Sequence, residues 1–432
     1  MQQNSFSFKK KEGTNFAKLS GDYNVIHVNE IAGYNSIYGE NIVHGVFVIF
    51  KFLEKIKIKN NFNYIKILFN DAARYNHKIT IRKINISKER KLYKLIQLNN
   101  DIAKIEVGLL PQKIKHEEIK KISSQKKYLI NKKKIIKSNY SNVEKNLSIA
   151  LCKLSNYVGM VFPGENSLIA EISIYKKEIN YENNLYIKSD SSLTKKGFPT
   201  IYNNLKYVNY DINFKTLIRP KLKVKLNKPQ AKILKEIKSV KENILIIGAS
   251  SGIGNDLLKL FAKNKKIKVI GTYYKNKITN SNKNIIIKKI NVEKDLSLIF
   301  SIIKKYNPLT IYYFATPKIL FRSFREKSFT ELYNKYFIDV PIKIIKFSNN
   351  YKCRFFYPST TYNNNLSPYS FIKLKAEKKI KKLKNNRVKI NIAKIPGINT
   401  KQTLSLISVN LPNFRDLISV NKEIFKKVFF KN

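Results

Sequence analysis

Two kinds of hydrophobic pattern divide this chain at about residue 240. Before that point, short segments rich in β-branched and aromatic residues are bounded by turn residues, which predicts strands, and the apolar run at 46–58 predicts a helix. After it, residues 244–247 form a short apolar run bounded by glycine, which predicts a buried strand of a parallel sheet. The strands predicted in the first part cover residues 64–70, 77–85, 92–98, 103–109, 169–175, 185–189, 205–209 and 212–217.

A glycine-rich turn follows the strand at 244–247, with glycines at 248, 252 and 254. The apolar residues after it recur at helical spacing, so the turn joins a strand to a helix N-terminus. Unpaired backbone N–H groups and the positive end of the helix dipole make such a junction an anion site. Taken alone, the glycine pattern is equally compatible with an ordinary tight turn.

Tyr369 and Lys373 are one helical turn apart and therefore share a face. An ammonium group beside a phenol lowers the phenol's pKa from its usual value near 10, so Tyr369 is a candidate general acid. A hydroxyl group nearby, from either Ser359 or Thr360, can hold a substrate carbonyl.

Gly248-x-x-x-Gly252-x-Gly254, Tyr369-x-x-x-Lys373 and Ile395-Pro-Gly-Ile-Asn-Thr400 together resemble the short-chain dehydrogenase/reductase family over roughly residues 240–432. The resemblance implies a doubly wound, Rossmann-type parallel sheet, a nicotinamide nucleotide, and hydride transfer between an alcohol and a ketone. It implies catalysis by Tyr369, Lys373 and one of Ser359 and Thr360. It also implies cofactor contacts from Gly248, Ser250, Ser251, Gly252, Ile253, Gly254, Tyr273, Lys275, Asn291, Ala315, Tyr369, Lys373, Pro396, Gly397 and Thr400.

The chain departs from that family at several positions. The family's Asn-Asn-Ala-Gly is replaced by Phe314-Ala-Thr-Pro317, and its adenine-contacting aspartate by Asn291. Residues 335–339 offer no clear match to the family's proton-relay asparagine. An alternative is therefore a Rossmann fold that binds nucleotide without turning over.

Charge at the end of the second strand bears on cofactor choice. NAD-binding turns place Asp or Glu about 20 residues past the glycines, whereas a basic residue suits a 2′-phosphate. Here the predicted strand 267–272 is followed by Tyr273-Tyr274-Lys275. The sequence therefore predicts NADP(H) in preference to NAD(H).

Asp22 and His27 form a second candidate site, on a turn-like segment predicted to be a loop. A carboxylate and an imidazole that converge can divide the work of removing an α-proton and releasing a β-hydroxyl as water. Gly45 opens the predicted helix, and its N–H could stabilise an enolate-like oxygen. The alternative is that Asp22 and Asn24 only cap a turn while His27 packs in a core.

This stretch resembles the MaoC-like hot-dog dehydratases, which include the (R)-specific enoyl-CoA hydratases. Their Ser-Gly-Asp-x-Asn-Pro-x-His signature is matched except that Val25 replaces the proline, and their Gly-x-x-Ile-Val-His-Gly segment is matched from Gly39 to Gly45. The resemblance implies that Asp22 and His27 are catalytic and that Gly45 supplies the oxyanion contact. It also implies a sheet wrapped around the helix.

The domain organisation predicted from these patterns has five parts. A MaoC-like hot-dog domain covers residues 1–111, and a lysine-rich linker covers 112–142. A second hot-dog-like domain over 143–222, without an Asp/His signature of its own, is assigned a structural and substrate-tunnel role. A linker over 223–240 then leads into the short-chain dehydrogenase/reductase domain at 241–432.

Composition narrows the remaining choices. The formal net charge is +55, from 84 Lys and Arg against 29 Asp and Glu. The lysines are spread along the chain together with abundant Asn, Ile, Tyr and Phe, whose codons are A/T-rich, so the charge does not require a nucleic-acid partner. The two cysteines form no disulfide framework. Without a signal core or a long apolar run, we expect a soluble, cytoplasmic protein with no metal and no membrane contact, and a homodimer is compatible with the sequence.

The two chemistries share an intermediate. A ketoreductase makes a 3-hydroxyacyl thioester, and a dehydratase converts it to a 2-enoyl thioester. The sequence therefore predicts a bifunctional enzyme that acts on acyl thioesters of CoA or acyl carrier protein in fatty-acid-like or polyketide-like synthesis. The alternatives are the reverse, degradative direction, and a dehydratase joined to a non-catalytic nucleotide-binding domain.

Overall fold

The structure is a computed structural model, in which the chain divides into two compact units at about residue 221. The structure describes residues 4–56, 62–87, 89–109, 143–178, 186–190, 200–219, 228–279, 282–307, 309–319, 327–362, 367–383, 387–403 and 411–431. The predicted linker at 112–142 lies outside these ranges.

The first unit contains a nine-stranded sheet and the helices packed on it. Its strands run in the order β1-β3-β4-β5-β2-β6-β9-β8-β7, and every neighbouring pair is antiparallel. All eight strands predicted from the sequence are found: seven begin and end within three residues of the prediction, whereas the strand predicted at 205–209 covers Thr200–Tyr207. The elements are β1 Ser5–Phe6, α1 Lys10–Ser20, α2 Val25–Val28, α3 Glu30–Asn35, α4 Gly45–Ile56, β2 Tyr64–Phe69, β3 Ile79–Asn85, β4 Arg90–Gln97, β5 Asn100–Gly108, α5 Lys145–Asn156, a π-helical turn Tyr157–Val161, β6 Ser167–Lys176, β7 Tyr186–Asp190, β8 Thr200–Tyr207 and β9 Tyr210–Ile218.

Two similar halves meet in the middle of this sheet. Strand β2 pairs with β5 of the first half and with β6 of the second, so the sheet continues from one half into the other. One apolar cluster includes residues of α4, α5 and strands from both halves. Helix α4 is apolar on nearly all sides, as expected for a helix enclosed by a sheet and a second helix. The regions predicted as domains 1–111 and 143–222 are thus halves of one compact unit.

The second unit contains a six-stranded, all-parallel sheet in the order β12-β11-β10-β13-β14-β15. Alternate residues of β10 belong to two different apolar clusters, so both faces of the sheet are covered. The elements are α6 Ala231–Ser239, β10 Asn243–Ile247, α7 Gly252–Phe261, β11 Val269–Tyr273, β12 Ile285–Lys289, α8 Leu296–Tyr306, β13 Leu309–Tyr313, α9 Lys327–Asn334, a π-helical turn Lys335–Asp339, α10 Val340–Ser348, β14 Cys353–Thr360, α11 Pro368–Lys381, β15 Val388–Ile395, α12 Phe414–Val420 and α13 Lys422–Val428.

The stretch predicted as a linker before the second unit contains a helix. Much of the stretch 223–240, predicted as a linker, is helix α6, whose Ile233 and Ile237 are fully buried in the second unit. These isoleucines are four positions apart and therefore share one face of the helix. In the part of the chain that the structure describes, no helix has both the length and the apolar character needed to cross a membrane.

Candidate functional site

Asp22 lies at the centre of the first site, in a buried turn that follows α1. Its Oδ1 accepts a hydrogen bond from the Asn24 N–H at 3.1 Å, and its Oδ2 accepts one from the Ser155 hydroxyl at 2.7 Å. The side chain is almost fully buried, with 4% of the residue exposed. Burial raises the pKa of the carboxyl group, and this effect outweighs the lowering by His44 and by the two hydrogen bonds.

His27 lies on the one-turn helix α2, which corrects the prediction of a loop. The helix forms because the Asn24 side chain caps it by accepting a hydrogen bond from the Ile26 N–H. His27 Nδ1 is 2.8 Å from the Ile42 carbonyl oxygen, so Nδ1 carries the proton and Nε2 is the basic nitrogen. Burial, followed by the charge of His44, lowers the pKa of His27 well below its usual value. The imidazole is therefore neutral at pH 7.

His44 matched the MaoC-like signature but received no role from the sequence. Its ring stacks on His27 with the ring centroids 3.9 Å apart. Its Nε2 donates to the Asp22 carbonyl oxygen at 3.0 Å, whereas Nδ1 has no hydrogen-bond partner among the described residues. Burial lowers the pKa of His44. The lowered pKa keeps the His44 ring neutral. One face of the ring packs against His27, and its Nε2–H holds the backbone carbonyl group of Asp22.

Asp22, His27 and His44 each offer a ligand atom within 4.8 Å of the others, which is the composition of a metal site. The two imidazole planes are only 28° from parallel, and each ring already uses one nitrogen on a carbonyl oxygen. The remaining lone pairs lie in nearly parallel planes, whereas a tetrahedral metal requires ligands directed at one point. We therefore interpret the cluster as a proton-transfer site.

The second half of the unit supplies groups that the sequence analysis missed. Besides Ser155, Asn156 donates from Nδ2 to the Gly21 carbonyl oxygen at 2.7 Å. Gly159 lies so close that a Cβ atom there would be 2.0 Å from Asp22 Oδ1, so only glycine fits. Ser155 is 133 positions from Asp22, and no local sequence signal relates the two.

A cavity of about 180 Å³ lies beside these groups. Asp22, His27 and Ser155 form part of its polar wall, and most of the remaining lining is apolar. Gly45 lines the cavity and begins α4, as predicted. The first N–H groups of a helix lack intrahelical partners and can bind developing negative charge. An acid, a base and an anion-stabilising helix end thus surround one apolar space.

The second candidate site is the glycine turn between β10 and α7. A Cβ atom on Gly254 would lie 2.3 Å from the Gly248 carbonyl oxygen, and one on Gly248 would lie 2.5 Å from the Ala315 nitrogen. The turn can therefore close only with glycine at these positions. A Cβ atom on Gly252, the first residue of α7, would lie 3.3 Å from Cγ2 of Thr400, so Thr400 borders the turn. The Ser251 side chain does not cap α7 within the described chain, so the helix N-terminus remains suited to a phosphate group.

The other predicted cofactor residues lie at the carboxyl ends of the same parallel strands. Tyr273 ends β11 and Lys275 follows it, while Pro396 and Gly397 follow β15. Ser250 and Ile253 belong to the turn and the start of α7. Asn291 follows β12, where its Oδ1 accepts a hydrogen bond from the Glu293 N–H at 3.0 Å and stabilises a turn. A ligand of an open parallel sheet binds at this edge, between the strands where the order reverses.

Tyr369 and Lys373 share one face of α11, but their side chains do not interact as predicted. The Lys373 ammonium donates to the Pro358 carbonyl oxygen and lies 4.4 Å from the ring centroid of Tyr357 and 4.6 Å from that of Phe337. Burial raises the pKa of Tyr369 to about 12, and Lys373 does not contribute to that shift. The expected lowering of the phenol's pKa by the lysine is therefore wrong in this structure. Burial also lowers the pKa of Lys373 to about 7.

The two candidate hydroxyl groups point in different directions, because neighbouring residues of a strand face opposite sides of the sheet. Thr360 makes a side-chain hydrogen bond with Tyr369 and lowers its pKa. Ser359 instead donates to Glu377 Oε2 at 2.7 Å. The structure thus brings together Tyr369 and Thr360 and turns Ser359 away from them.

Lys318 is a further buried cation beside the glycine turn, which the sequence analysis did not identify. It follows the loop that contains Ala315, and its ammonium donates to the Lys401 carbonyl oxygen at 2.6 Å, next to Thr400. Gln402 joins the same two loops through Pro317 and Ile319. Burial lowers the pKa of Lys318 to about 8. A positive group near a helix N-terminus suits a nucleotide phosphate.

Comparison with known proteins supports a family resemblance for the start of the chain. Residues 2–64 match the family model described as MaoC like domain. A comparison with curated proteins finds no match.

Several solved structures resemble part of this chain. A short chain dehydrogenase family protein from Francisella tularensis subsp. tularensis SCHU S4 is 18% identical, with 45% of this chain and 78% of that chain covered and a TM-score of 0.34. UDP-glucose 4-epimerase from Thermotoga maritima, solved with UDP-glucose, is 20% identical (35% and 54% covered, TM-score 0.31). UDP-glucuronic acid 4-epimerase from Bacillus cereus, solved with NAD, is 18% identical (36% and 56% covered, TM-score 0.30). The chain thus spans little more than half the length of the two epimerases.

Proposed function

We propose that the chain is a bifunctional acyl-thioester enzyme, a 3-hydroxyacyl dehydratase joined to an NADPH-dependent 3-oxoacyl reductase. The observation that carries the proposal is the placement of Asp22 and His27 together on the wall of an apolar cavity that also borders Gly45. The match of residues 2–64 to the MaoC like domain model supports a hot-dog dehydratase for the first unit.

Burial assigns the roles at the dehydratase site. It raises the pKa of Asp22 and lowers that of His27, so both shifts favour a neutral pair, a carboxylic acid and a free imidazole. His27 Nε2 takes the α-proton of a 3-hydroxyacyl thioester, and the carbonyl oxygen gains negative charge near the Gly45 N–H. The bond between carbon 3 and its oxygen then breaks, and Asp22 protonates the departing hydroxyl as water. Return of the proton from His27 to Asp22 restores the pair.

The second unit fits a doubly wound fold that holds a dinucleotide. The glycines at 248, 252 and 254 fit a pyrophosphate at the N-terminus of α7, and Thr400 and Ala315 border the same turn. A bound nicotinamide nucleotide would supply the hydride. The Tyr369 phenol, with a pKa of about 12, keeps its proton at neutral pH and can donate it to a ketone oxygen held by Thr360. The end of β11 carries Tyr273 and Lys275 and no carboxylate, which supports NADP(H) over NAD(H).

Reciprocal variants test the two activities on the intact chain. Asp22→Asn or His27→Gln should abolish conversion of 3-hydroxyacyl-CoA to 2-enoyl-CoA, measured by ultraviolet absorbance, and should leave oxidation of NADPH by 3-oxoacyl-CoA unchanged. Tyr369→Phe should have the opposite effect. Each variant is thus the folding control of the other. The assignment is refuted if Asp22→Asn and His27→Gln retain dehydration and Tyr369→Phe retains oxidation of NADPH.

A second candidate function is a dehydratase whose second unit only binds nucleotide. Two observations favour it: Phe314-Ala-Thr-Pro317 stands where the resembling family has Asn-Asn-Ala-Gly, and Lys373 does not lower the pKa of Tyr369. NADPH that binds to the chain but is not oxidised by any 3-oxoacyl thioester would support this candidate. Oxidation of NADPH that requires Tyr369 would exclude it. Comparison of NADPH with NAD as cosubstrates distinguishes synthesis from the degradative direction.

A further inference from the structure

A chain of buried hydrogen bonds in the second half of the first unit ends at the π-helical turn beside Asp22. The Tyr157 hydroxyl lies 2.8 Å from the hydroxyl of Ser189 on β7, and Ser189 donates to Oδ1 of Asn203 on β8 at 2.6 Å. All three residues are buried, with at most 8% of each exposed. None of the three lines the cavity beside Asp22, and the proposed dehydration step does not use them.

The amide group of Asn203 fixes the direction of the protons in this chain. Its Nδ2 donates to the carbonyl oxygens of Ile201 at 3.1 Å and Phe214 at 3.3 Å, so its Oδ1 faces Ser189 and only accepts. Ser189 therefore gives its one proton to Asn203, and the proton between the two hydroxyl groups comes from Tyr157. Removal of the Tyr157 hydroxyl would leave a buried acceptor unpaired, which costs free energy.

The same tyrosine begins the π-helical turn. The Phe162 N–H donates to the Tyr157 carbonyl oxygen at 2.8 Å, which is the i→i+5 bond that defines this kind of turn. The Val158 carbonyl oxygen accepts a hydrogen bond from the Ser167 hydroxyl at 2.7 Å. The Tyr157 side chain thus links the turn to β7 and β8, whereas Ser167 links it to β6.

The turn packs its backbone against the carboxyl group of Asp22. Gly159, the third residue of the turn, lies so close that a Cβ atom there would be 2.6 Å from the carboxyl carbon of Asp22. Ser155, two positions before the turn begins, donates to Oδ2 at 2.7 Å. Both carboxyl oxygens are therefore covered by residues in or next to the turn. This burial is the main cause of the raised pKa of Asp22.

We propose that Tyr157 is a positioning residue of the dehydratase site: its hydroxyl anchors the π-helical turn, and the turn holds Gly159 against the carboxyl group of Asp22. The proposal rests on the proposed function of the site and adds a residue that lies outside the cavity. Without the anchor, the turn relaxes away from Asp22 and water reaches the carboxyl group. The pKa of Asp22 then falls toward its ordinary value, and the acid that protonates the departing hydroxyl is lost at lower pH.

The other charged and titratable groups around Asp22 do not obscure such a change. His44 acts on Asp22 directly, and His27 offers a ligand atom within 4.8 Å of it. Burial lowers the pKa of both imidazoles, so both stay neutral at pH 7. Arg219, which follows β9, acts on His27 and keeps its charge throughout this range. Among the described residues, α5 and the turn present only a hydroxyl group and backbone to the carboxyl group.

The test is Tyr157→Phe in the intact chain, with dehydration of 3-hydroxybutyryl-CoA measured as a function of pH. We expect kcat to fall about ten- to a hundredfold, since a small misplacement of a catalytic group has an effect of this size. KM should change little because Tyr157 does not line the cavity. The alkaline limb of kcat should shift to lower pH. Ser189→Ala breaks the same chain and should cause the same shift, and the double variant should be no worse than either single variant.

Tyr210→Phe is the matched control. Tyr210 is fully buried in the same half, and its hydroxyl donates to Glu144 at 2.7 Å. Glu144 precedes the first residue of α5, at the end of that helix opposite to Ser155. Loss of this bond should lower stability in urea unfolding and leave kcat and its pH profile unchanged. The proposal is overturned if Tyr157→Phe keeps the wild-type pH profile, or if Tyr210→Phe shifts it equally.

A titration that needs no turnover separates this proposal from the proposed function. In a chain labelled with ¹³C at its aspartate carboxyl groups, the resonance that disappears in Asp22→Asn belongs to Asp22. Its pKa should be lower in Tyr157→Phe than in the wild-type chain, and an unchanged pKa would overturn the proposal. A lowered pKa in a chain that dehydrates no 3-hydroxyacyl thioester would uphold the action of Tyr157 on Asp22 and refute the proposed function instead.

Discussion

Ser155→Ala removes a contact through which the second half of the first unit acts on Asp22. The hydroxyl donates to Asp22 Oδ2 at 2.7 Å, and both residues are buried. A hydrogen bond to a charged group contributes about 1.5–3 kcal/mol. In the proposed mechanism Asp22 becomes charged as it releases its proton, so the contact stabilises the transition state more than the ground state. We therefore expect kcat for dehydration to fall about ten- to a hundredfold, with little change in KM.

The pH dependence of Ser155→Ala provides an independent readout. Ser155 is one of the groups that lower the pKa of Asp22, so its loss should raise that pKa further. The protonated carboxyl group then persists to higher pH, and the alkaline limb of kcat should shift upward. Ser148→Ala, a buried serine of the same helix that has no contact with Asp22 in the described structure, is the control. The reasoning is refuted if Ser155→Ala and Ser148→Ala have the same kcat and the same pH profile.

Three further predictions follow from the geometry. Asp22→Asn should be more stable than the wild-type chain at pH 7 in urea unfolding, because a carboxyl group whose pKa is raised in the folded state costs stability as pH rises through that pKa. The difference in the free energy of unfolding should disappear below about pH 4. An equal difference at all pH values would contradict this. Gly159→Ala should lower dehydration at least about a hundredfold, because the added Cβ would lie 2.0 Å from Asp22 Oδ1, while NADPH oxidation stays unchanged; wild-type dehydration would contradict the close approach. Lys318→Met should weaken the binding of NADPH and of NADH by a similar factor of about ten in fluorescence titrations, because a cation near the pyrophosphate contacts a group that both nucleotides share. A loss of affinity confined to NADPH would contradict this and place the lysine at the 2′-phosphate instead.

Local patterns were sufficient to predict most elements of the fold. The start of α4 at Gly45 and the strand-turn-helix around Gly248 depend on residues close together in the chain, and both are found. The alternation of short apolar segments likewise predicted the strands of the first unit. The burial of α6 was missed because three lysines and a glutamate at positions 232, 235, 236 and 238, around Ile233 and Ile237, make the stretch appear solvated.

Contacts between distant residues could not be predicted in this way. Ser155 approaches Asp22 only because β6 pairs with β2 and carries the second half against the first. The prediction that Lys373 lowers the pKa of Tyr369 failed for a similar reason: the spacing of the two residues is correct for contact, but the ammonium of Lys373 is directed to Pro358. Spacing along a helix predicts which face a side chain shares, whereas its environment depends on the strand that packs beside it.

Exchange of the α-hydrogen of a 3-hydroxyacyl thioester with D₂O tests the central claim most directly, because it measures proton removal by His27 itself. Mass spectrometry of 3-hydroxybutyryl-CoA incubated with the wild-type chain should show deuterium at carbon 2 as the substrate and the 2-enoyl product interconvert. His27→Gln should abolish this incorporation, whereas Tyr369→Phe should leave it at the wild-type rate. Incorporation at the wild-type rate in His27→Gln would contradict the account.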